Sequence, residues 1–137
     1  VFTGTSYRRV SSQGLKTGRK IPVPFQINYT QLLKQNSIAC LTVMLDRHHV
    51  GSISFLETKH EDFILWLQIL KQGVTFYGLP DDLARYRILP QSRSANKWES
   101  VKNTWNIYRC TERLSFFESL WQMIHFALRN LAKYSRF

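Results

Sequence analysis

The chain has 137 residues, 44% apolar and 14% aromatic, so a buried core is available and a disordered or low-complexity class is excluded. Its formal net charge of +10 favours anionic partners, whether nucleic acid, anionic lipid or phosphorylated substrate, without choosing among them. Two widely spaced cysteines, Cys40 and Cys110, and four scattered histidines exclude a disulfide framework and give no metal-ligand spacing, so both cysteines read as reduced cytoplasmic thiols.

Position 1 is Val, the first Met is Met44, and Val1-Phe2-Thr3-Gly4 reads as the interior of a strand, so a piece of a longer chain is expected. The opening lacks the charged segment and apolar run of a signal peptide. No stretch reaches the run of about 18 apolar residues that a membrane-spanning helix requires.

Residues 1–10 alternate as a strand does, and Ser11-Ser12-Gln13-Gly14 then supplies turn chemistry. Ile21-Pro22-Val23-Pro24 is extended, because a residue before proline is pushed out of the helical region. A short helix is predicted over Tyr29 to Gln35, capped by Asn28 or Thr30. Residues 37–46, apolar and partly β-branched, read as a buried strand ending at Asp46-Arg47. The clearest helix runs from about Lys59 to Gln72, with Thr58 and Glu61 at the spacing of a capping box, an apolar face of Phe63, Leu67 and Leu70, and Gly73 as its stop.

Two strand-like runs follow, Val74–Tyr77 and Leu83–Ile88, around a predicted Gly78-Leu79-Pro80-Asp81 turn, and then a polar, basic loop from Pro90 to Lys97. From Trp98 the pattern is helical to the end, with a break predicted near Thr111 to Ser115. Leu114 to Leu128 is the most apolar stretch, with Glu118 its only acid, and Arg129, Lys133 and Arg136 follow. That pattern suits a helix lying in a membrane interface, and equally a helix packed on a core.

Six segments, in this order, resemble bacterial family 2 glycosyltransferases of the cell-surface polysaccharide type, close to those making teichuronic acid and lipopolysaccharide. They are Ser6-Tyr7-Arg8-Arg9-Val10, Tyr29 to Lys34, Thr42-Val43-Met44-Leu45-Asp46-Arg47, Glu61-Asp62-Phe63-Ile64-Leu65-Trp66-Leu67, Leu83-Ala84-Arg85-Tyr86-Arg87, and Ser92-Arg93-Ser94-Ala95-Asn96-Lys97. The resemblance implies an α/β chain that is the C-terminal, acceptor-side half of a GT-A fold over residues 1–97, with a helical extension over 98–137. The Asp-x-Asp metal motif and nucleotide site would then precede Val1, so a divalent Mg or Mn ion is expected in a full-length parent, and the piece alone should be inactive. Asp81-Asp82 does not stand in for that motif, because the two are adjacent and a turn explains them.

By the same resemblance Glu61-Asp62 matches the family's Glu-Asp motif, whose Asp acts as the base of an inverting transfer. That chemistry needs a carboxylate within hydrogen-bond reach of the acceptor hydroxyl, and a first-turn carboxylate is kept ionised by the helix dipole. Glu61 reads mainly as structural. Arg87 with Ser92, Ser94 and Lys97 matches a segment near the donor diphosphate, where cations would offset the charge gathering on the leaving group. The sequence departs from the family just ahead of the motif: Glu57-Thr58-Lys59-His60 stands where an arginine is common, Lys59 replaces its charge but not its bidentate geometry, and His60 reads as an exposed first-turn residue.

The expected partners are a nucleotide-sugar donor and a lipid-linked glycan acceptor at the inner face of the plasma membrane, with peripheral membrane contact through residues 114–137 and no nucleic acid. The competing reading is a basic binding module for nucleic acid or anionic membrane, since Tyr7-Arg8-Arg9 and Tyr86-Arg87 interleave cations with aromatics. No RNA-recognition, KH or helix-turn-helix signature supports it.

Overall fold

Two glycines set how closely the central strands approach their neighbours. β1 (Phe2–Val10) buries Phe2, Gly4 and Ser6 on one face, the two-residue period of a strand. In the computed structural model, which describes residues 1–89 and 97–134, β1 runs parallel to β5 (Phe76–Arg87), with Phe2 opposite Phe76 and Val10 opposite Arg87. A Cβ on Gly4 would come within 3.0 Å of the Phe76 ring. One on Gly78 would lie 2.2 Å from the Pro24 carbonyl oxygen, so only glycine lets the Val23-Pro24 segment cross β5 there.

β2 (Thr17–Ile21) and β4 (Met44–Leu45) pair antiparallel with the two ends of β1, and β3 (Gln26–Ile27) pairs antiparallel with β5, giving the order β2-β1-β5-β3. The sheet is mixed, and with the helices it makes an α/β architecture.

β5 corrects the predicted pair of strands around a turn. Pairing with β1 continues throughout, and the register jumps from Thr5 opposite Leu79 to Ser6 opposite Asp82, leaving Pro80 and Asp81 as a bulge. Proline has no N–H for the ladder, and a bulge is where a strand accommodates one. Asp82 is therefore in a strand and not in a turn; its carboxylate accepts from Arg8 Nε at 2.5 Å and Arg85 Nη1 at 2.6 Å. Those guanidinium contacts hold it below the ordinary carboxylate range.

The predicted strand over 37–46 is also corrected. Ile38 is buried, but Cys40–Thr42 forms a single 3-10 turn, only Met44 and Leu45 pair, and Met44 is 71% exposed. Apolar runs without periodicity do not by themselves distinguish a buried strand from other packed chain. Asp46 then caps a one-turn helix, α2 (Arg47–Val50), accepting from the His48 amide at 3.0 Å.

α1 (Tyr29–Lys34) opens as read, with Asn28 as cap: its side chain accepts from the Gln31 amide at 3.0 Å while the Gln31 side chain accepts from the Asn28 amide at 2.9 Å. α3 (Glu61–Lys71) is the central helix, and from Phe63 to Leu70 only Gln68 is exposed. Trp66 stacks at 5.3 Å on Phe2, which meets Phe76 edge-on at 4.9 Å, so the helix packs at the starts of β1 and β5. Gly73, at φ 83, closes its C-terminus in the left-handed region where glycine is favoured.

α4 (Lys97–Asn106) passes through a π turn (Ile107–Thr111) and the predicted break, where Arg113 takes φ 55, into α5 (Phe116–Tyr134). Ile107 and Tyr108 enter the same core as Phe2, Leu33 and Trp66.

Candidate active site

The first turn of α3 carries two adjacent carboxylates, Glu61 and Asp62, where unpaired backbone amides and the helix dipole favour negative charge. The predicted capping box is absent. His60 is the N-cap residue, in the left-handed conformation at φ 62, with no side-chain cap, and Thr58 Oγ1 instead points to the Lys59 carbonyl at 3.5 Å. Histidine enters that region more readily than β-branched or bulky residues, though at some conformational cost.

Asp62 is half-buried, and its Oδ1 accepts from the Phe63 amide at 2.7 Å. The hydrogen bonds recorded for the carboxylate come from backbone amides, those of Phe63 and of Asp62 itself. Burial pushes the Asp62 carboxyl above its ordinary range; the Phe63 amide opposes this, Glu61 adds to it and His60 opposes it. The helix end favours the ionised form, as expected from sequence, but burial acts in the other direction and outweighs the Phe63 amide and His60, which makes the carboxylate a stronger proton acceptor when ionised.

Three other segments meet here. Burial and then the charges of Asp62 and Glu61 push the Cys40 thiol up, which places the Cys40–Thr42 turn within electrostatic reach of the acid pair. Lys59 makes an ion pair with Glu99, and His60 Nε2 lies 3.3 Å from Ser100 Oγ, so the first turn of α4 sits against the approach to α3. An open depression of about 470 Å³ is lined by Leu56, Glu57, Thr58, Lys59 and Glu61, beside Asp62 but not lined by it.

His60 is thus a half-buried junction residue and not an exposed one, and Lys59 is committed to Glu99. Neither role was legible locally, because both contacts bridge 40 residues.

The other predicted site residues lie elsewhere. Arg87 is at the far end of β5 from the Phe76 end that packs toward α3, and its Nη1 donates to the Ser12 carbonyl at 2.7 Å, bracing the β1–β2 turn. Ser92 and Ser94 lie outside the described residues, as does the side chain of Lys97, whose backbone opens α4. Among the described residues no group of three or more His, Cys, Asp or Glu is arranged to hold a metal ion, so they do not by themselves fit one. Cys40 and Cys110 are free thiols; Cys40 is exposed as a residue, with its sulfur partly covered.

A carboxylate of raised basicity at a helix entrance beside an open depression is equipped to take a proton from a bound hydroxyl. The chain is 37% identical over 133 residues, 96% of its length, to a candidate teichuronic acid biosynthesis glycosyltransferase, TuaG, of Bacillus subtilis (strain 168). It is homologous to bacterial glycosyltransferases.

Two further glycosyltransferases, WfgD and WfaP of Escherichia coli, are named as UDP-Glc:alpha-D-GlcNAc-diphosphoundecaprenol beta-1,3-glucosyltransferases. They match at 37% identity over 89 residues and 40% over 86, which is 64% and 63% of this chain. The chain spans 53% of the length of the Bacillus glycosyltransferase and 35% and 34% of the two glucosyltransferases. No family model matches the chain, and no solved structure does.

Proposed function

We propose that the chain is the acceptor-side half of an inverting family 2, GT-A-type glycosyltransferase and that Asp62 is its base. The observation carrying this reading is a half-buried carboxylate of raised pKa in the first turn of α3, in a chain aligned along nearly its whole length with a glycosyltransferase. The acceptor hydroxyl gives its proton to Asp62 as its oxygen bonds to the anomeric carbon of the donor sugar from the side opposite the diphosphate. The bond from that carbon to the nucleoside diphosphate breaks, and the diphosphate leaves with its electron pair.

Asp62 is held for this by the Phe63 amide, which fixes Oδ1 and leaves Oδ2 for the incoming hydroxyl. Glu61 lines the depression and keeps the local field negative. Ser92, Ser94 and Lys97 are the proposed diphosphate contacts; Arg87, held on the Ser12 carbonyl at the far end of β5 from α3, is too remote from Asp62 to share that role. A divalent Mg or Mn ion, if the reaction uses one, takes its ligands from residues beyond this chain.

The donor in this reading is a nucleotide sugar. The acceptor is a lipid-linked glycan, as in the names of the two Escherichia coli relatives, and the work is done at the inner face of the plasma membrane.

In a full-length protein carrying this chain, Asp62→Asn should lower kcat about 10³-fold, within the range expected for loss of a general base. Donor affinity should change less than about twofold, because uniform binding is left intact. Retention of more than about a tenth of the turnover would remove Asp62 from the mechanism.

A further inference from the structure

α3 begins without the side-chain cap that other helices of the chain carry. Asn28, Asp46 and Ser115 each turn an oxygen onto a first-turn amide of α1, α2 and α5, at 3.0, 3.0 and 3.3 Å. At α3 the His60 carbonyl accepts from the Ile64 amide at 3.2 Å, so His60 stands at the cap position, and its side chain caps nothing. Glu61, Asp62 and Phe63 are then the first three helical residues, whose amides have no acceptor inside the helix. A cap ordinarily takes the second or third of these.

Here both go to the candidate base itself. The Asp62 carboxylate accepts from the Phe63 amide at 2.7 Å and from its own amide, the third and second of the turn. A carboxylate bound in this way keeps one orientation at the helix entrance, and it does so only while no cap oxygen competes for the same two donors.

His60 is kept from competing by its anchor. Its backbone is left-handed at φ 62, its Nε2 lies 3.3 Å from Ser100 Oγ on α4, and Lys59 beside it pairs with Glu99. A non-glycine residue holds such a conformation only where its surroundings over-determine it, and residues held in this way collect at working sites. Two contacts to one turn of α4 supply that constraint, and they commit the imidazole to α4 instead of to the amides of α3.

We infer that His60 is a positioning residue for Asp62: anchored on Ser100 and turned left-handed, it withholds the cap from α3 and so leaves the Asp62 and Phe63 amides to the Asp62 carboxylate. The inference rests on the reading of Asp62 as the base, and its consequence for transfer is a carboxylate fixed in direction before the acceptor hydroxyl arrives. The titratable groups around that carboxylate are Glu61 and His60 on its own segment and Cys40 from the Cys40–Thr42 turn, with Lys59 and Glu99 paired next to them. The two amides favour its ionised form, so their loss to a cap would push the carboxyl further up.

The test compares His60→Ser, which can cap, with His60→Gly, which cannot cap and takes the left-handed conformation without strain. Both remove the imidazole, so its charge cancels from the comparison. In a carboxyl-carbon NMR titration of the 137-residue chain, Asp62 should titrate at higher pH in His60→Ser than in His60→Gly. In a full-length protein carrying this chain, kcat of His60→Ser should lie at least about tenfold below that of His60→Gly, with acceptor KM within about twofold. Ser100→Ala should lower kcat several-fold, and it should cost nothing further in the His60→Gly background, where no anchor is required. That pair of measurements decides the question even where His60→Ser does not fold. Equal titration of Asp62 in the two His60 variants, equal turnover, or an effect of Ser100→Ala that persists beside His60→Gly would each overturn the assignment. The titration uses no donor or acceptor, so its outcome is separate from whether Asp62→Asn abolishes transfer.

Discussion

At the scale of the residue, Asp62 is a carboxylate held against stability. Its carboxyl is raised from the ordinary value of 3.8 because burial penalises the charged form more than the Phe63 amide rewards it. Below the unfolded value both states are protonated, and the group does not affect folding. Above it the unfolded state releases its proton first, so the folded state binds more protons and stability falls as pH rises through the window between the two values.

Asp62→Asn removes the charge and keeps an oxygen for the Phe63 amide. The variant should therefore melt at a higher temperature than the unaltered chain at pH 7, with the charge-dependent part of the difference vanishing at about pH 2, well below the unfolded value of 3.8, where Asp62 is protonated in both states. A gain in stability on losing a charge is the usual sign of a group held against stability. A difference in melting temperature that stays constant from about pH 2 to 7 would mean that burial does not govern this carboxyl.

At the scale of the element, what could be read from the sequence was what neighbouring residues decide among themselves. The Asn28–Gln31 capping box, the Gly14 turn after β1 and the Gly73 stop of α3 are local, and each appears where its residues stand. Thr58 and Glu61 have the same local spacing and fail, because Lys59 and His60 are drawn to Glu99 and Ser100 on α4 and turn the chain through a left-handed residue before the helix begins. β5 reads as two strands because Pro80 and Gly78 look like a turn, whereas the partner that keeps it extended, β1, lies more than 70 residues away.

Gly78 has a role in this that propensity does not show, since its missing side chain is the space through which Val23 and Pro24 pass. Gly78→Ala should destabilise the chain by about 1–3 kcal/mol or more, the cost of overpacking, in urea titration. A loss below about 0.5 kcal/mol, the usual size of a change at an unconstrained surface site, would mean that the crossing relaxes freely.

At the scale of the whole molecule, the division at residue 97 suggested by the sequence meets a core that extends past it. Ile107 and Tyr108 are buried with Leu33 and Trp66, and the Tyr108 hydroxyl donates to the Leu33 carbonyl at 2.5 Å. Glu112 is buried with its carboxylate 2.6 Å from Lys71 Nζ at the end of α3, and it also accepts from the Tyr29 hydroxyl of α1. Burial and the Glu112 contact push the Tyr29 phenol up, so the hydroxyl stays protonated and remains a donor.

One carboxylate thus ties α1, α3 and the corner before α5 together. Glu112 is buried while Lys71 is 44% exposed, so only loss of the lysine leaves a buried charge uncompensated, at a cost that solvent holds below the about 3–5 kcal/mol of a fully buried pair. Ending the chain after Lys97 would strip the Leu33 carbonyl and Lys71 of these partners and open the core at Ile107 and Tyr108. Residues 1–97 alone should therefore give no cooperative thermal transition, and in the whole chain Lys71→Met, which leaves the buried Glu112 carboxylate without its cation, should lower the melting temperature at neutral pH. If residues 1–97 instead melt in one sharp transition near that of the intact chain, the helices beyond 97 are an appendage to them and not part of their core.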